Sequence, residues 1–311
     1  MKQHTIGKPF SLEGKGLHTG LMIHATFLPA EENTGIRLKR VDLPNQPCHE
    51  ALIGYVSATE RGTVLENGDW RISTVEHALS ALYALGITNC LIELDAPEMP
   101  ILDGSAAIFV EAILKAGIME QQAEAKTYIV TERIEYATES GSRFVIEPAD
   151  KQEFQVAISF PGQLLHDQSA ELRDLKDYTT DIASARTFCF VREIAYLLSR
   201  GLIKGGDLQN ALVIYEMPIP QEAMDQLTDA LGQPRVPADK PGYLSPLKYE
   251  NEPARHKLLD IIGDFSLLGV RLQGRISAYR PGHGPNTECA RHLNQLIKEN
   301  KLSNRKSSNC Q

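Results

Sequence analysis

The side chains best suited to chemistry are two histidines and two carboxylates from separate parts of the chain. His256 and Asp260 are four residues apart, so in an α-helix they share a face and can bind one metal ion. A third ligand must come from elsewhere, and His77 is the best candidate because it follows Glu76. A carboxylate beside a metal-ligating histidine is the arrangement by which a zinc hydrolase activates water. The spacing therefore predicts a hydrolytic zinc site.

Each of these signals also has a purely structural interpretation. Ser73 and Glu76 have the spacing of a capping box, in which the glutamate side chain bonds back to the amide at the helix start. His256 and Asp260 have the spacing of an ordinary surface pair at positions i and i+4. Taken singly, neither pattern separates a functional role from a structural one.

A glycine-flanked histidine is a third unusual placement. His283 lies between Gly282 and Gly284 and follows the alternating segment 275–279, which predicts a strand. A loop histidine at the end of a strand can reach into a cleft. Because three unusual placements point to one chemistry, the hydrolytic interpretation is favoured.

Two predicted helices must position these residues. The first begins with Ser73 as its N-cap and ends at Gly86, with an apolar stripe on one face and His77 among small residues on the other. The second covers about residues 253–268 and places His256 and Asp260 opposite its own apolar stripe. Each helix thus has a core face and a ligand face. The sequence predicts two α/β units whose helical layers face each other, with the metal between them.

Strands and turns are predicted in both halves of the chain. In the first half, alternating residues predict two strands around the glycine-rich turn 14–20, and Asn67-Gly68 predicts a hairpin. A further buried strand is predicted over residues 90–94. In the second half, strands are predicted over residues 128–135, 143–147 and 154–160.

Three other segments lack a clear helix or strand pattern. Residues 120–126 are polar and are predicted to be an interdomain linker, so the expected domains are 1–122 and 127–298. Residues 217–252 are rich in proline and glycine and are predicted to be an irregular excursion. The polar tail 299–311 is predicted to be disordered.

Composition limits the class of partner and the compartment. The 311 residues include 32 basic and 40 acidic ones, and the net charge of -8 argues against nucleic acid or an anionic membrane as the main partner. The five cysteines are scattered without a CxxC pair, which argues against a disulfide framework or a cysteine zinc site. The chain has neither a signal-peptide pattern nor a run of about 18 apolar residues. We expect a soluble, cytoplasmic protein.

Several short motifs occur together along about residues 5–298. They are GLHTG at 16–20, RISTVEH at 71–77, ILDGSAA at 101–107, SARTF at 184–188, GG at 205–206 with NA at 210–211, HKxxDxxGD at 256–264, and GH at 282–283. Together they resemble the UDP-3-O-acyl-N-acetylglucosamine deacetylase family, zinc enzymes of the committed step of lipid A biosynthesis in Gram-negative bacteria.

The resemblance implies an α+β fold of two similar α/β two-layer sandwich domains, packed helix layer to helix layer, each with a small insert. The Asn67-Gly68 hairpin would belong to the first insert. Residues from about 189 to 206 would form the second insert, which lines a passage for an acyl chain. The passage residues would include Ile194, Leu197 and Leu202.

The resemblance also implies zinc held by His77, His256 and Asp260, with water in the open fourth position. Glu76 would then be the base that takes a proton from that water. The developing oxyanion would be stabilised by the zinc and by Thr187.

Four further residues have roles implied by the resemblance. His283, oriented by Asp264, would be the cationic acid that protonates the leaving amine. Lys257 would contact the nucleotide phosphates or sugar, and Phe188 would pack on the substrate near the hexosamine. The expected partner is a small-molecule substrate, UDP-3-O-acyl-N-acetylglucosamine, and the expected state is a monomer without stable membrane insertion.

Two features depart from the family pattern. Cys189 stands where glycine is expected, and the excursion 217–252 is longer than the common form. A fused hydroxyacyl carrier-protein dehydratase domain, present in some family members, is not predicted. Two alternative functions remain open: a non-catalytic sugar-nucleotide or lipid-binding module that retained the fold, and a metal amidase acting on another acylated sugar.

Overall fold

The computed structural model describes residues 1–161, 164–194, 200, 202–218, 220–230 and 234–308, with the backbone alone for 227, 230 and 300–308. Helices and strands are mixed along the chain, which confirms the predicted α+β class. The helices are α1 (Glu76–Ala84), α2 (Ala107–Ala116), α3 (Tyr178–Asp181), α4 (Gln221–Ala230), α5 (Glu252–Ser266) and α6 (His283–Ser308).

The strands fall into an N-terminal and a C-terminal half. Those of the N-terminal half are β1 (Lys2–Ile6), β2 (Phe10–Lys15), β3 (Met22–Pro29), β4 (Ile36–Arg40), β5 (Cys48–Glu50), β6 (Val56–Ala58), β7 (Val64–Asn67), β8 (Trp70–Ile72), β9 (Cys90–Leu94) and β10 (Ile118–Glu124). Those of the C-terminal half are β11 (Thr127–Ile129), β12 (Ile134–Ala137), β13 (Arg143–Glu147), β14 (Gln152–Ile158), β15 (Gln168–Leu172), β16 (Phe188–Phe190), β17 (Leu212–Tyr215), β18 (Gly242–Tyr243) and β19 (Arg271–Tyr279).

The main sheets of the two halves have the same strand order. The first sheet runs β2-β3-β9-β4-β5 and the second runs β12-β13-β19-β14-β15, with β11 beside β19. Each sheet contains one parallel pair of neighbours along this order, β9 with β4 in the first sheet and β19 with β14 in the second. The other neighbours along the order are antiparallel. A helix precedes the last strand in both halves, α1 before β9 and α5 before β19. This repeat agrees with the expectation of two similar halves.

Each half also carries a small three-stranded sheet at the same place in its chain order. The first insert is β6-β7-β8, between β5 and α1, and it contains the predicted hairpin, in which Gly68 has a φ of 60°. The second insert is β16-β17-β18 together with α4, between β15 and α5. Left-handed backbone suits glycine because it has no Cβ, so Gly68 makes this tight turn without strain.

Helices α1 and α5 pack against each other between the two main sheets. Leu79 and Leu82 of α1 share one continuous buried core with Ile262 and Phe265 of α5 and with side chains from both sheets. Burial of each such side chain contributes roughly 1.5–3 kcal/mol. The prediction that the two motif helices face each other is therefore confirmed.

The closest approach of the two helices is at a glycine. A Cβ atom added to Gly263 of α5 would lie 2.2 Å from the main-chain oxygen of Glu76 in α1. No real Cβ atom comes that close to a backbone oxygen, so glycine lets the two backbones meet. The contact brings the start of α1 beside the last turn of α5.

The polar segment predicted as a linker is largely a strand. Residues of β10 pair antiparallel with β1, which ties the end of the N-terminal half to the chain start. Polar side chains fit there because they bond to neighbouring segments: Gln121 donates to the Ala30 carbonyl and accepts from Asn89. Backbone pairing needs no apolar side chains, so composition alone could not reveal this strand.

The excursion 217–252 is more regular than predicted, because it contains α4 and β18. In α4 the side chains of Met224 and Thr228, four residues apart, are buried. Met224 packs in a small core with Val213 and Tyr215 of β17. Ala223, Met224 and Leu227 have helical spacing, but the prolines and glycines around them favoured an irregular segment in the sequence-based prediction.

Helix α6 continues to Ser308, whereas a disordered tail was expected from residue 299. Its packed part buries Cys289, Ala290 and Leu293, and the lysine, leucine and arginine residues that follow favour helix. Residues 309–311 lie outside the described part. Within the described ranges, none of the helices combines the length and the apolar character that crossing a bilayer requires.

Candidate active site

The start of α1 aims Glu76 and His77 into the space between the helices. Thr74 has a φ of 58°, so the helix begins after it, with Val75 as the N-cap, and not at Ser73. The Ser73 hydroxyl donates to the Pro97 carbonyl. The Glu76 carboxylate accepts instead from the backbone N–H of Thr63 at 3.0 Å. The capping-box interpretation is therefore wrong, and the glutamate side chain faces the site.

Three buried side chains form a cluster that can bind a metal ion. His77, His256 and Asp260 each offer one ligand atom, and these atoms all lie within 4.8 Å of one another. The Nδ1 atom of His256 donates to the Ala185 carbonyl at 3.0 Å, since a carbonyl can only accept. That bond leaves the Nε2 lone pair of His256 free, as second-shell bonds do for metal-ligating histidines.

The donor set of this cluster fits a cation. The Oδ1 atom of Asp260 lies 3.3 Å from the Nε2 atom of His256, so two acceptors face each other. Asp260 Oδ1 and His77 Nδ1 are both buried without a hydrogen-bond partner among the described residues. Buried acceptors without donors are costly, and a metal ion placed among them removes that cost.

The protonation states agree with metal ligation. Burial, with the nearby His256, lowers the pKa of His77 to about 3, and burial also lowers the pKa of His256, so both rings are neutral. Burial alone would raise the pKa of Asp260, but His256, Lys257 and His283 hold it well below its usual range. Two neutral imidazoles and one carboxylate are a donor set that zinc takes in hydrolytic sites.

Glu76 is placed to exchange a proton near neutral pH. Burial raises the pKa of its carboxyl to about 7, with Asp264 and Asp260 adding to the rise and His283 opposing it. Its Oε1 atom lies 3.7 Å from the Nε2 atom of His283. A pKa close to the working pH is what a general base requires.

His283, the first residue of α6, is held in one orientation by a carboxylate. Its Nδ1 atom donates to the Oδ2 atom of Asp264 at 3.0 Å. Burial alone would lower the pKa of His283, but Asp264, Asp260 and Glu76 raise it to about 9, so the ring is cationic at neutral pH. Asp264 in turn accepts from the Thr63 hydroxyl at 2.5 Å and from the Asn286 amide at 2.8 Å.

A cavity of about 360 Å³ opens beside this cluster. Its lining is mainly apolar and comes from both halves: Leu17, His18, Arg61, Thr187, Phe188, Cys189, Ile194, Ile203, Gly206, Asp207, Leu208, Ala211, Val213, Lys257 and His283. The Nζ atom of Lys257 donates to Asp260 at 2.6 Å and lies 5.3 Å from the centre of the Phe188 ring. An apolar cavity ending at a few charged groups can bind a ligand with an apolar tail and a polar reacting end.

A family model described as UDP-3-O-acyl N-acetylglycosamine deacetylase matches residues 3–229 and 234–295 of this chain. The chain belongs to this deacetylase family. The match covers all the motifs quoted above and so confirms the resemblance that they indicated.

Curated relatives agree with the family assignment. The chain is 50% identical over 302 residues to "Bifunctional enzyme LpxC/FabZ" of Porphyromonas gingivalis and 48% identical over 301 residues to the enzyme of that name in Bacteroides thetaiotaomicron. Each match covers 96% of this chain and 65% of the relative, so the chain spans less than two thirds of those proteins. It is 37% identical over 299 residues to the "UDP-3-O-acyl-N-acetylglucosamine deacetylase" of Teredinibacter turnerae, covering 94% of this chain and 90% of that relative.

Most of the residues that the family motifs singled out lie together. The three proposed metal ligands, Glu76, Asp264 and His283 are joined by the contacts described above, and Thr187, Phe188, Ile194 and Lys257 line the adjacent cavity. Leu202 is not among the lining residues, whereas its neighbour Ile203 is. Leu197 lies outside the described residues.

Sequence reasoning missed Thr63, which links Glu76 to Asp264 in this deacetylase-family site. Its amide N–H donates to Glu76, and its hydroxyl donates to Asp264, the partner of His283. Nothing in its local sequence marks it, because its role depends on residues up to 220 positions away along the chain.

Glu98 was also missed, although the sequence contains a signal for it. Glu98 is the one acidic residue in the otherwise apolar segment 96–101, which indicates a buried carboxylate. Its buried carboxylate accepts from the backbone N–H groups of His18 and Thr19, and from the Thr19 hydroxyl. It thereby fixes the glycine-rich GLHTG turn of the family, which contributes His18 to the cavity. A buried carboxylate bonded to consecutive amides is a loop-anchoring feature.

Proposed function

We propose that the protein is a zinc-dependent deacetylase that hydrolyses the N-acetyl group of UDP-3-O-acyl-N-acetylglucosamine, giving UDP-3-O-acyl-glucosamine and acetate. This reaction is the committed step of lipid A biosynthesis. The observation that carries the proposal is the cluster of three candidate metal ligands with His283, the proposed proton donor, 3.8 Å from Asp260 and 3.7 Å from Glu76, the proposed proton acceptor. Amide hydrolysis needs these three functions at one point.

Zinc, when bound by His77, His256 and Asp260, supplies Lewis acidity that polarises the amide carbonyl and makes water easier to deprotonate. Glu76 accepts the proton of the attacking water, for which a pKa near 7 is suited. Amine departure requires a proton on nitrogen, and cationic His283 delivers it from Nε2 while Asp264 holds Nδ1.

The Thr187 hydroxyl is proposed to donate a hydrogen bond to the developing oxyanion. Support comes from its place on the cavity wall and from a fixed backbone: its N–H donates to the Gly104 carbonyl, and its carbonyl accepts from Leu212. A rigid donor of this kind stabilises charge in the transition state without reorganisation.

The cavity supplies the substrate contacts of the proposal. Lys257 is proposed to bind the nucleotide phosphates or sugar, and Phe188 to pack on the substrate near the hexosamine. The acyl chain is proposed to lie along the apolar lining that includes Ile194. Leu197 and Leu202 were proposed for the same passage, and for Leu202 the neighbouring Ile203 is the better candidate.

The wider setting is also part of the proposal. We place the protein in the cytoplasm as a monomer, with the small-molecule substrate as its partner and without nucleic acid. The domains are proposed as 1–122 and 127–298, with the zinc between them, because the main sheets on either side repeat one strand order.

Acetate release from UDP-3-O-acyl-N-acetylglucosamine by the purified protein is the test. We expect acetate release from this substrate, and a rate of release at least about tenfold lower from the same acylated sugar without UDP. Equal turnover of both compounds would favour the amidase that acts on another acylated sugar. Binding of the substrate without acetate release, in protein with its full zinc content, would favour the non-catalytic module.

A further inference from the structure

An ion pair joins the two inserts beside the cavity. The Nη1 atom of Arg61 lies 3.0 Å from the Oε2 atom of Glu193. Arg61 belongs to the loop between β6 and β7 in the first insert, and Glu193 to a helical turn at 191–194 after β16 in the second. The side chains are 37% and 24% exposed, so solvent screens the pair only in part.

The backbone of Arg61 is fixed by its neighbours. Its φ is 64°, a left-handed conformation that is unfavourable for a residue with a Cβ atom. Such a conformation persists only where the surrounding structure holds it in place. Its carbonyl accepts from the His18 ring, with 3.3 Å between the heavy atoms. Thr63, two residues on, is bonded to Glu76 and to Asp264. The loop is thus anchored at the catalytic groups, and the Arg61 side chain extends from it.

The other end of the pair is attached to the apolar wall. Ile194, next to Glu193, lines the cavity and packs against a small core that contains Leu208 and Val213. The Oε2 atom of Glu193 is buried and makes no hydrogen bond with the described residues, so the charge of Arg61 compensates it without a hydrogen bond. A carboxylate buried without its cation is unfavourable, and losing Arg61 would favour movement of this wall toward solvent.

We propose that Arg61 is a positioning residue for the acyl chain: through Glu193 it holds Ile194 and the adjoining cavity wall against the first insert. The inference rests on the proposed function, because it names the part of the substrate that this wall contacts. The ligand class is the acyl chain of the substrate. Its binding should depend on the pair, whereas the chemical step should depend on it much less.

Substrate kinetics with paired charge variants test this inference. In Arg61→Gln and in Glu193→Gln we expect KM to rise about fivefold for a long-chain substrate and less than twofold for a short-chain one, with kcat falling less than KM rises. The exchange Arg61→Glu with Glu193→Arg should bring KM back to within about twofold of wild type. The matched control is Arg71→Gln, which breaks the exposed Arg71–Glu66 pair in the same insert and should leave KM unchanged.

Three outcomes would overturn the inference: a fall in kcat that is the same for all chain lengths, an unchanged KM in both single variants, or an exchanged pair no better than the singles. Thermal melting of each variant identifies any that fail to fold. If Arg61→Gln does not fold, Arg61→Lys replaces it, and because lysine keeps the charge we expect a wild-type KM.

A binding measurement separates failure of the inference from failure of the proposed function. The neutral fluorophore N-phenyl-1-naphthylamine reports on an apolar cavity and requires no chemistry. If the wild type released no acetate, the deacetylase proposal would fail, but the role of the pair would still be decided. Affinity about threefold weaker in Arg61→Gln and restored in the exchanged pair supports it. Equal affinity in all proteins contradicts it.

Discussion

At the scale of single residues, the site places similar carboxylates in different environments. Burial raises the pKa of Glu76 to about 7, whereas the cationic and imidazole groups around Asp260 keep its pKa low in spite of burial. Groups whose pKa values are separated in this way can take separate roles, one as proton acceptor and one as anionic ligand. Residue type alone could not assign these roles, because the pKa of Glu76 depends on His283, Asp264 and Asp260, which are distant in sequence.

Replacing Glu76 by glutamine should abolish the proton acceptor and preserve the metal site. We expect acetate release to fall by about 10²–10⁴-fold, since that is the usual contribution of general base catalysis. Zinc content should stay at the wild-type value, because none of the three proposed ligands is altered. Steady-state kinetics and elemental analysis of the same preparation measure both, and wild-type turnover in Glu76→Gln would refute the assigned role.

Replacing Asp264 by asparagine should misorient His283. The amide can present its NH₂ group toward Nδ1 and lacks the charge that keeps the ring cationic, so we expect kcat to fall about 100-fold. KM should change little, because Asp264 is not among the residues that line the cavity. The comparison variant is Thr63→Val, which removes one of the hydrogen bonds to Asp264 and should cost less. A larger loss in Thr63→Val than in Asp264→Asn would contradict this assignment.

At the scale of elements, the site depends on how closely α1 and α5 approach each other. Helix phasing in the sequence was sufficient to predict that the His77 side chain comes together with those of His256 and Asp260. It was not sufficient to orient Glu76, because capping box and general base share one spacing. The strand β10 was missed because its polar side chains are satisfied by contacts with other segments, which a local pattern cannot show. The helix α4 was missed because the prolines and glycines around it favoured an irregular segment.

Substituting alanine for Gly263 should separate the two helices. The added Cβ would meet the Glu76 carbonyl at 2.2 Å, and this backbone contact should outweigh the gain of about 1 kcal/mol in helix propensity. We expect a net loss of about 2–3 kcal/mol in the free energy of unfolding, with weaker zinc binding. Urea unfolding gives the value. The control is Gly54→Ala, where a new Cβ meets nothing within 4 Å; equal stability of the two variants would contradict close helix packing at Gly263.

A buried ion pair connects the cavity wall to the start of α5. The Nε atom of Arg186 donates to Glu252 at 2.9 Å, and the two side chains are 10% and 0% exposed. Arg186→Met should cost about 3 kcal/mol, because it leaves a buried carboxylate without its cation. Urea unfolding measures the loss. The control Arg133→Met breaks the solvent-accessible pairs with Glu135 and Glu147 and should cost less than about 1 kcal/mol.

The pH dependence of that loss has a definite sign. Burial alone would raise the pKa of Glu252, but Arg186 and the backbone N–H of Lys248 hold it below its usual value. The stabilisation is therefore present above the unfolded-state pKa and is lost as the pH falls through the lower folded-state pKa. The difference between wild type and Arg186→Met should shrink on acidification. A difference that grows toward acidic pH would contradict this account.

At the scale of the whole molecule, the proposed metal ligands come from both halves of a chain whose main sheets repeat one strand order. His77 belongs to the N-terminal half, and His256 and Asp260 to the C-terminal half. The family motifs were specific enough to predict the fold class and the family from the sequence. The wall contacts of the cavity were not predictable, because they depend on how the two inserts meet.

Zinc titration of metal-stripped protein, followed by acetate release from UDP-3-O-acyl-N-acetylglucosamine, tests the central claim most directly. The account predicts that stripping abolishes release and that zinc restores it in proportion, up to about one equivalent per chain. It also predicts that Asp260→Ala, which removes one ligand of the cluster, needs at least tenfold more zinc. Full release by the stripped protein, or an unchanged titration in Asp260→Ala, would contradict it.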